Sequence, residues 1–231
     1  MIVKVRNKTS DFTTYRSARV KSLFNAERGN EFSLDANLPI EDLDWQIGLV
    51  VGASGTGKTS IGRELFGGGK ILDLYAGWDA DKPIVDCIAP GGDFNAVTGA
   101  LANVGLGDVP SWLRPFHALS NGQQFRAGLA RVITDAADEV IIDEFTSVVD
   151  RQIAKIGAMA FAKGWRRNKG KKCVLLSCHY DIVEWLQPDW VYDTGTNELK
   201  KETNLSKDQS SSWKFGRSTP LTGSILNSII I

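Results

Sequence analysis

Residues 45–66 constrain the fold more than any other stretch of this 231-residue chain. The apolar run 45–51, with Ile47, Leu49, Val50 and Val51 around Gly48, reads as a buried strand. It leads into Gly52-Ala53-Ser54-Gly55-Thr56-Gly57-Lys58-Thr59, which fits the phosphate-binding pattern G-x-x-x-x-G-K-[ST] at every fixed position. A polyphosphate must be wrapped by backbone N–H groups, so the loop needs glycines that tolerate positive φ and close approach. The helix that follows must present its positive N-terminal end. Residues 60–66 supply that helix, with Ile61 and Leu65 on one face and Gly67-Gly68-Gly69 to end it. The expected nucleotide contacts are therefore Gly52, Ser54, Gly55, Thr56, Gly57, Lys58, Thr59 and Ser60. Lys58 is expected to reach the β and γ phosphates, and the Thr59 hydroxyl to ligate Mg²⁺.

Beyond the loop, strand and helix alternate, which predicts an α/β chain with a mainly parallel sheet covered by helices. Strands are expected at 70–75, 140–142 and 173–177, and helices at 95–104, 123–137 and 151–166. In the last helix, Ile153, Ile156, Met159 and Ala160 share one side. The stretch 105–119 reads as irregular. The strand at 140–142 ends in Asp143 and Glu144. A carboxylate at the end of a buried strand beside a phosphate loop is placed to hold Mg²⁺ through water, the role expected of Asp143. Its neighbour points to the other side, so Glu144 can face the attacking water.

Composition excludes several alternatives. The 27 basic residues cancel the 27 acidic ones, so no overall field draws the chain to nucleic acid or an anionic membrane. Three cysteines without framework spacing fit a reducing compartment. No apolar run approaches the ~20 residues that span a bilayer, and residues 1–10 lack the apolar core of a signal peptide. A soluble, cytoplasmic protein is expected.

The segment Leu119-Ser120-Asn121-Gly122-Gln123-Gln124-Phe125-Arg126 resembles the LSGGQ signature of ATP-binding cassette (ABC) ATPases, with Asn121 where that family usually has glycine. Ile141-Ile142-Asp143-Glu144 looks like the family's Walker B strand, Ser147-Val148-Val149-Asp150 resembles its D-loop, and His179 looks like its switch histidine. The resemblance implies an ABC-type P-loop NTPase with an N-terminal antiparallel β element and a shortened helical subdomain at about 87–135. The ATPase domain would cover 1–201, leaving a tail at 202–231. It implies ATP and Mg²⁺ as cofactors and a second cassette, by default another copy of this chain, arranged head to tail. Ser120, Gly122 and Gln123 would then lie over phosphates bound by the partner, and Asp150 would contribute at the interface. Glu144 would be catalytic with Lys58, and His179 would sense the γ-phosphate.

The departures matter as much. No glutamine occurs between Gln46 and Gln123, so the family's Q-loop glutamine is missing. Asp86, which ends Pro83-Ile84-Val85-Asp86, reads either as its metal-contacting substitute or as a surface aspartate after an edge strand. Phe145 stands where a proline commonly follows the catalytic glutamate. The adenine-stacking aromatic is expected at Phe24 by position, with Phe32 as the alternative. The interval from Asp86 to Ser120 is shorter than transporter cassettes use, which favours a soluble ABC ATPase. The alternatives are a transporter subunit and a nucleotide-gated binding module with negligible hydrolysis. Residues 45–194 are also similar to soluble cassettes of prokaryotes and their phages. Ser111-Trp112-Leu113-Arg114-Pro115-Phe116 reads as packing under the signature helix, with a partner surface as the alternative. The basic run 165–172 reads as a solvated loop that complements a helix dipole; a nucleic-acid contact there is not favoured.

Overall fold

The computed structural model describes residues 1–8, 10, 12–24, 31–67, 71–135 and 137–201. The tail 202–231 lies outside the described residues, as do Gly68 and Gly69 of the expected helix stop. In chain order the elements are β1 (Ile2–Lys8), α1 (Tyr15–Phe24), β2 (Glu31–Asn37), β3 (Ile47–Val51), α2 (Lys58–Glu64), β4 (Ile71–Leu72), α3 (Ile84–Cys87), α4 (Phe94–Asn103) and α5 (Val109–Trp112). They continue with α6 (Asn121–Asp135), β5 (Glu139–Ile142), α7 (Arg151–Trp165), β6 (Lys172–Ser177), α8 (Ile182–Leu186), β7 (Trp190–Asp193) and β8 (Glu198–Lys201).

Six strands form one sheet in the order β4-β5-β6-β3-β7-β8. Every neighbouring pair from β4 to β7 is parallel, and β8 returns antiparallel on β7. β1 and β2 form a separate antiparallel pair running from Ile2 opposite Asn37 to Lys8 opposite Glu31. The expected mainly parallel α/β sheet with an N-terminal antiparallel element is therefore present. All five residues of β3 are buried because both faces of this central strand are covered. Alternate residues feed two cores. Leu49, Ile142 and Leu175 meet Phe125, Leu129, Phe161 and Trp165 from α6 and α7. Val50, Ile141 and Leu176 meet Ile61 and Leu65 beneath Val3, Val5, Ala36 and Leu38. Gly48 is required by close approach, since a Cβ there would lie 2.0 Å from the Trp190 ring.

Several expectations shift. Of the strand expected at 70–75, Ile71–Leu72 forms and 73–75 does not, because the Asp73 carboxylate accepts the Tyr75 N–H at 2.8 Å and turns the chain; Lys70 lies outside the described residues. Within the stretch read as irregular, α5 and a 3₁₀ turn at Phe116–Ala118 form. Ser111 and Phe116 are buried there, Phe116 stacks on Trp78 at 4.3 Å, and Gln123 and Gln124 Nε2 of α6 donate to Ser111 Oγ and Phe116 O at 2.8 and 3.1 Å, so the segment packs against the signature helix as expected. Pro83 to Asp86 is no edge strand: Ile84–Cys87 is a helical turn held by Ile84 N–H to Arg114 O, 3.0 Å. The side of α7 carrying Ile156 and Met159 is exposed, at 57% and 52%. The buried side is Ala154, Gly157, Ala158, Phe161, Ala162 and Trp165. Phe125 packs so close to Gly157 that a Cβ there would be 2.5 Å from its ring, so small residues mark the buried face of this helix.

Among the described residues, no helix is long and apolar enough to cross a membrane.

Candidate functional site

The parallel registers bring three strand ends together. Val51 pairs with Ser177 and Ile142 with Leu175, so the segments that follow β3, β5 and β6 leave the sheet at the same edge. In open α/β sheets this carboxyl edge is where ligands bind.

After β3 the chain makes the loop from Gly52 to Gly57. A Cβ on Gly52, at φ 150, would fall 1.9 Å from Thr194 Oγ1, and one on Gly57, at φ 91, would fall 2.8 Å from the Phe32 ring. Both glycines are thus demanded by space as well as by φ. The Thr56 hydroxyl lies 2.8 Å from Ala53 O and 2.6 Å from Thr194 Oγ1, and Thr194 Oγ1 lies 3.1 Å from Val51 O, so the two hydroxyls share their protons among the loop and strand carbonyls and each other. Thr194, at the end of β7, therefore ties the loop to the sheet. Lys58 is buried, and its Nζ donates to Gly52 O and Ala53 O at 2.9 and 2.8 Å. Ser54 and Gly55 are exposed on the loop, and Ser60 is half-buried in α2.

The Thr59 hydroxyl donates to Asp143 Oδ2 at 2.7 Å, joining the loop to the end of β5. Asp143 Oδ1 accepts the Glu144 N–H at 2.8 Å. Glu144 is exposed, sits at φ 50, and accepts a 2.5 Å hydrogen bond from Ser147 Oγ. Phe145 is fully buried against Phe125 and Phe161, and its N–H donates to Leu176 O at 2.9 Å. A proline could not make that bond. His179 follows β6, its N–H donating to Ser177 Oγ at 3.1 Å. Burial, helped by the Arg151 charge, pushes the His179 ring below its ordinary pKa, while Asp181 and Glu144 act in the opposite sense.

The other expected residues lie elsewhere. Ser120 and Gln123 form a capping box at the start of α6: Ser120 N–H donates to Gln123 Oε1 at 3.0 Å and Gln123 N–H to Ser120 Oγ at 3.4 Å. This explains why α6 starts at Asn121 rather than Gln123. A Cβ on Gly122 would be 2.6 Å from Ile153 Cδ1, so α7 packs directly on the signature segment. Asp150 caps α7, its Oδ1 accepting from Gln152 and Ile153 N–H at 3.0 Å each. Phe24 is 73% exposed at the end of α1, whereas Phe32 lies against Gly57. Asp86 is exposed on α3. The β4–β5 register, Leu72 opposite Ile142, makes Asp73 the residue that follows β4 as Asp143 follows β5. Asp73, Thr146, Arg151 and Thr194 belong to the site without being among the expected residues. A carboxylate after a short apolar run could have signalled Asp73; the others depend on tertiary contacts.

No family model and no curated protein sequence matches the chain. Solved structures do resemble it. A dimeric bacterial ABC transporter cassette superposes with TM-score 0.55 at 15% identity, covering 87% of this chain and 99% of that one. A structure described as a cobalt transport ATP-binding protein gives TM-score 0.55 at 16% identity, covering 89% and 82%. An inward-facing metal-chelate-type ABC transporter gives TM-score 0.52 at 16% identity, covering 76% and 77%. The chain has the fold of ABC ATPase cassettes.

Proposed function

We propose that this chain, built on the cassette fold, is an ATP-hydrolysing ABC ATPase that binds ATP with Mg²⁺ on residues 52–60 and pairs head to tail with a second cassette. The observation that carries the reading is the Thr59–Asp143 hydrogen bond, which sets a hydroxyl and a carboxylate oxygen 2.7 Å apart at the mouth of a phosphate loop. Two hard oxygen donors suit Mg²⁺, which takes one or two protein ligands and completes its shell with water and phosphate. Bound there, the ion would neutralise charge on the β and γ phosphates.

The chain's own groups divide the remaining work. Lys58 exchanges the Gly52 and Ala53 carbonyls for phosphate oxygens. Glu144 accepts a hydrogen bond from the attacking water and orients it. His179 donates a hydrogen bond to the γ-phosphate. Ser120, with the Gly122 and Gln123 N–H groups at the start of α6, offers an anion site to phosphates held by the partner, and Asp150 borders that interface. For the missing Q-loop glutamine, the strand register supports Asp73 over Asp86 as the carboxylate beside Asp143. Phe32, packed on Gly57, is better placed than Phe24 to meet a base.

A soluble, cytoplasmic role is favoured by the short interval before the signature. The second reading, an ATP-binding transporter subunit, is supported by the transporter cassettes among the structural neighbours. Steady-state ATP turnover tests the core proposal. Glu144→Gln is expected to reduce kcat by ~10²–10⁴-fold with ATP binding retained. Wild-type protein that binds ATP but turns none over would instead support a nucleotide-gated module.

A further inference from the structure

Thr146 is the least expected residue of the site. It is a polar, β-branched side chain, 1% exposed, at φ 68. That region of backbone space is unfavourable for a β-branched residue and persists only where surrounding contacts impose it. Its hydroxyl stands between two groups: Arg151 Nη1 at 3.4 Å and His179 Nδ1 at 3.5 Å. Arg151 is itself fixed. It makes a fork with the Asp181 carboxylate, Nε to Oδ2 at 2.9 Å and Nη2 to Oδ1, and its guanidinium lies 5.0 Å over the Trp185 ring.

Donor and acceptor bookkeeping then orders the protons. A guanidinium can only donate, so Arg151 takes a lone pair of Thr146 Oγ1, and among the described residues His179 Nδ1 is the one acceptor within hydrogen-bond distance of the buried hydroxyl proton. The second neighbour of Nδ1, the Cys178 thiol at 3.8 Å, is also able to donate. With Nδ1 accepting, a neutral imidazole carries its proton on Nε2. We infer that Thr146, oriented by the Arg151–Asp181 pair, is a positioning residue that locks His179 in the Nε2–H tautomer. The inference rests on the γ-phosphate role given to His179 above. A phosphate oxygen accepts hydrogen bonds only, so the locked ring offers it a donor, whereas the other tautomer would offer a lone pair. Because Arg151 follows Asp150 directly, any movement of the α7 cap reaches His179 through this chain of contacts.

The charged groups that influence the ring are Arg151, Asp181 and Glu144. Its tautomer is measured on nucleotide-free protein labelled with ¹⁵N, by two-bond ¹H–¹⁵N correlation at pH 8. The second histidine, His117, is assigned with His117→Asn. Wild-type His179 should be wholly Nε2–H. Thr146→Val, which keeps the shape and removes the hydroxyl, should give a mixture, Thr146→Ser should restore the single form, and Asp181→Asn should relax it. In turnover, Thr146→Val should lose at least ~10-fold in kcat with KM for ATP unchanged. A wild-type Nδ1–H tautomer, or a tautomer indifferent to both Thr146→Val and Asp181→Asn, overturns the inference while leaving the ATPase reading intact. Absence of ATP turnover would defeat that reading while the tautomer result stood on its own.

Discussion

The two ends of the candidate nucleotide site are built in opposite ways. At the phosphate loop, functional groups bond to one another: Lys58 to the loop carbonyls, Thr59 to Asp143, and Thr56 to Thr194. At the signature segment, Ser120, Gln123 and Asp150 spend their side chains on helix caps, and Gly122 makes room for Ile153. The first end is assembled within one chain. The second is a rigid, capped helix start with Ser120 exposed. That difference suits a site whose second half is completed by another molecule, because a preorganised surface loses little entropy on closing over a ligand.

The contrast can be broken at either end. The largest effect is expected from Lys58→Ala, which should weaken ATP binding by at least ~100-fold as the charge facing the phosphates disappears. Equilibrium binding of a fluorescent nucleotide checks this, and retained tight binding would mean that the loop is not the site. Gly52→Ala should come close behind, since its methyl meets Thr194 Oγ1 at 1.9 Å and displaces the tie between β7 and the loop. Thermal unfolding and nucleotide affinity should both fall. At the other end, Asp150→Ala and Ser120→Ala should each cost ~1 kcal/mol in denaturant unfolding through lost caps while sparing ATP binding to the monomer. A large loss of monomer affinity in either would dissolve the distinction between the two ends.

The smallest effect is a pH dependence. The folded His179 pKa lies below its ordinary value, so between the two the unfolded chain binds more protons. The contribution to stability is present above the unfolded value of about 6.5 and is lost as pH falls through the folded one. Stability curves of wild type and His179→Gln should therefore run parallel at neutral pH, and wild type should lose stability relative to the variant as pH falls below ~6.

What was legible in the sequence were features carried by local pattern. β3 and β5 are buried apolar runs, and the Gly52 to Thr59 spacing fixes the loop between a strand and a helix. The mainly parallel character of the sheet followed from alternation of strand and helix. What escaped were features set by tertiary space. Ile156 and Met159 look like core by hydropathy, yet the buried face of α7 runs through Ala154, Gly157, Ala158, Phe161 and Trp165, and at Gly157 the Phe125 ring of α6 lies too close for any side chain. The positive φ of Thr146 has no sequence signature, since nothing marks a threonine there as left-handed. Thr194 touches the loop from the end of β7, the neighbour of β3 in the sheet but 138 residues from Thr56 in sequence, and the role of Asp73 beside Asp143 emerges from the β4–β5 register.

The central claim, a nucleotide site divided between two molecules, is tested most directly by light scattering of Glu144→Gln with saturating ATP and Mg²⁺. An ATP-dependent dimer that reverts to monomer when the nucleotide is removed is the expected result. A protein that holds ATP yet stays monomeric at high concentration would contradict it.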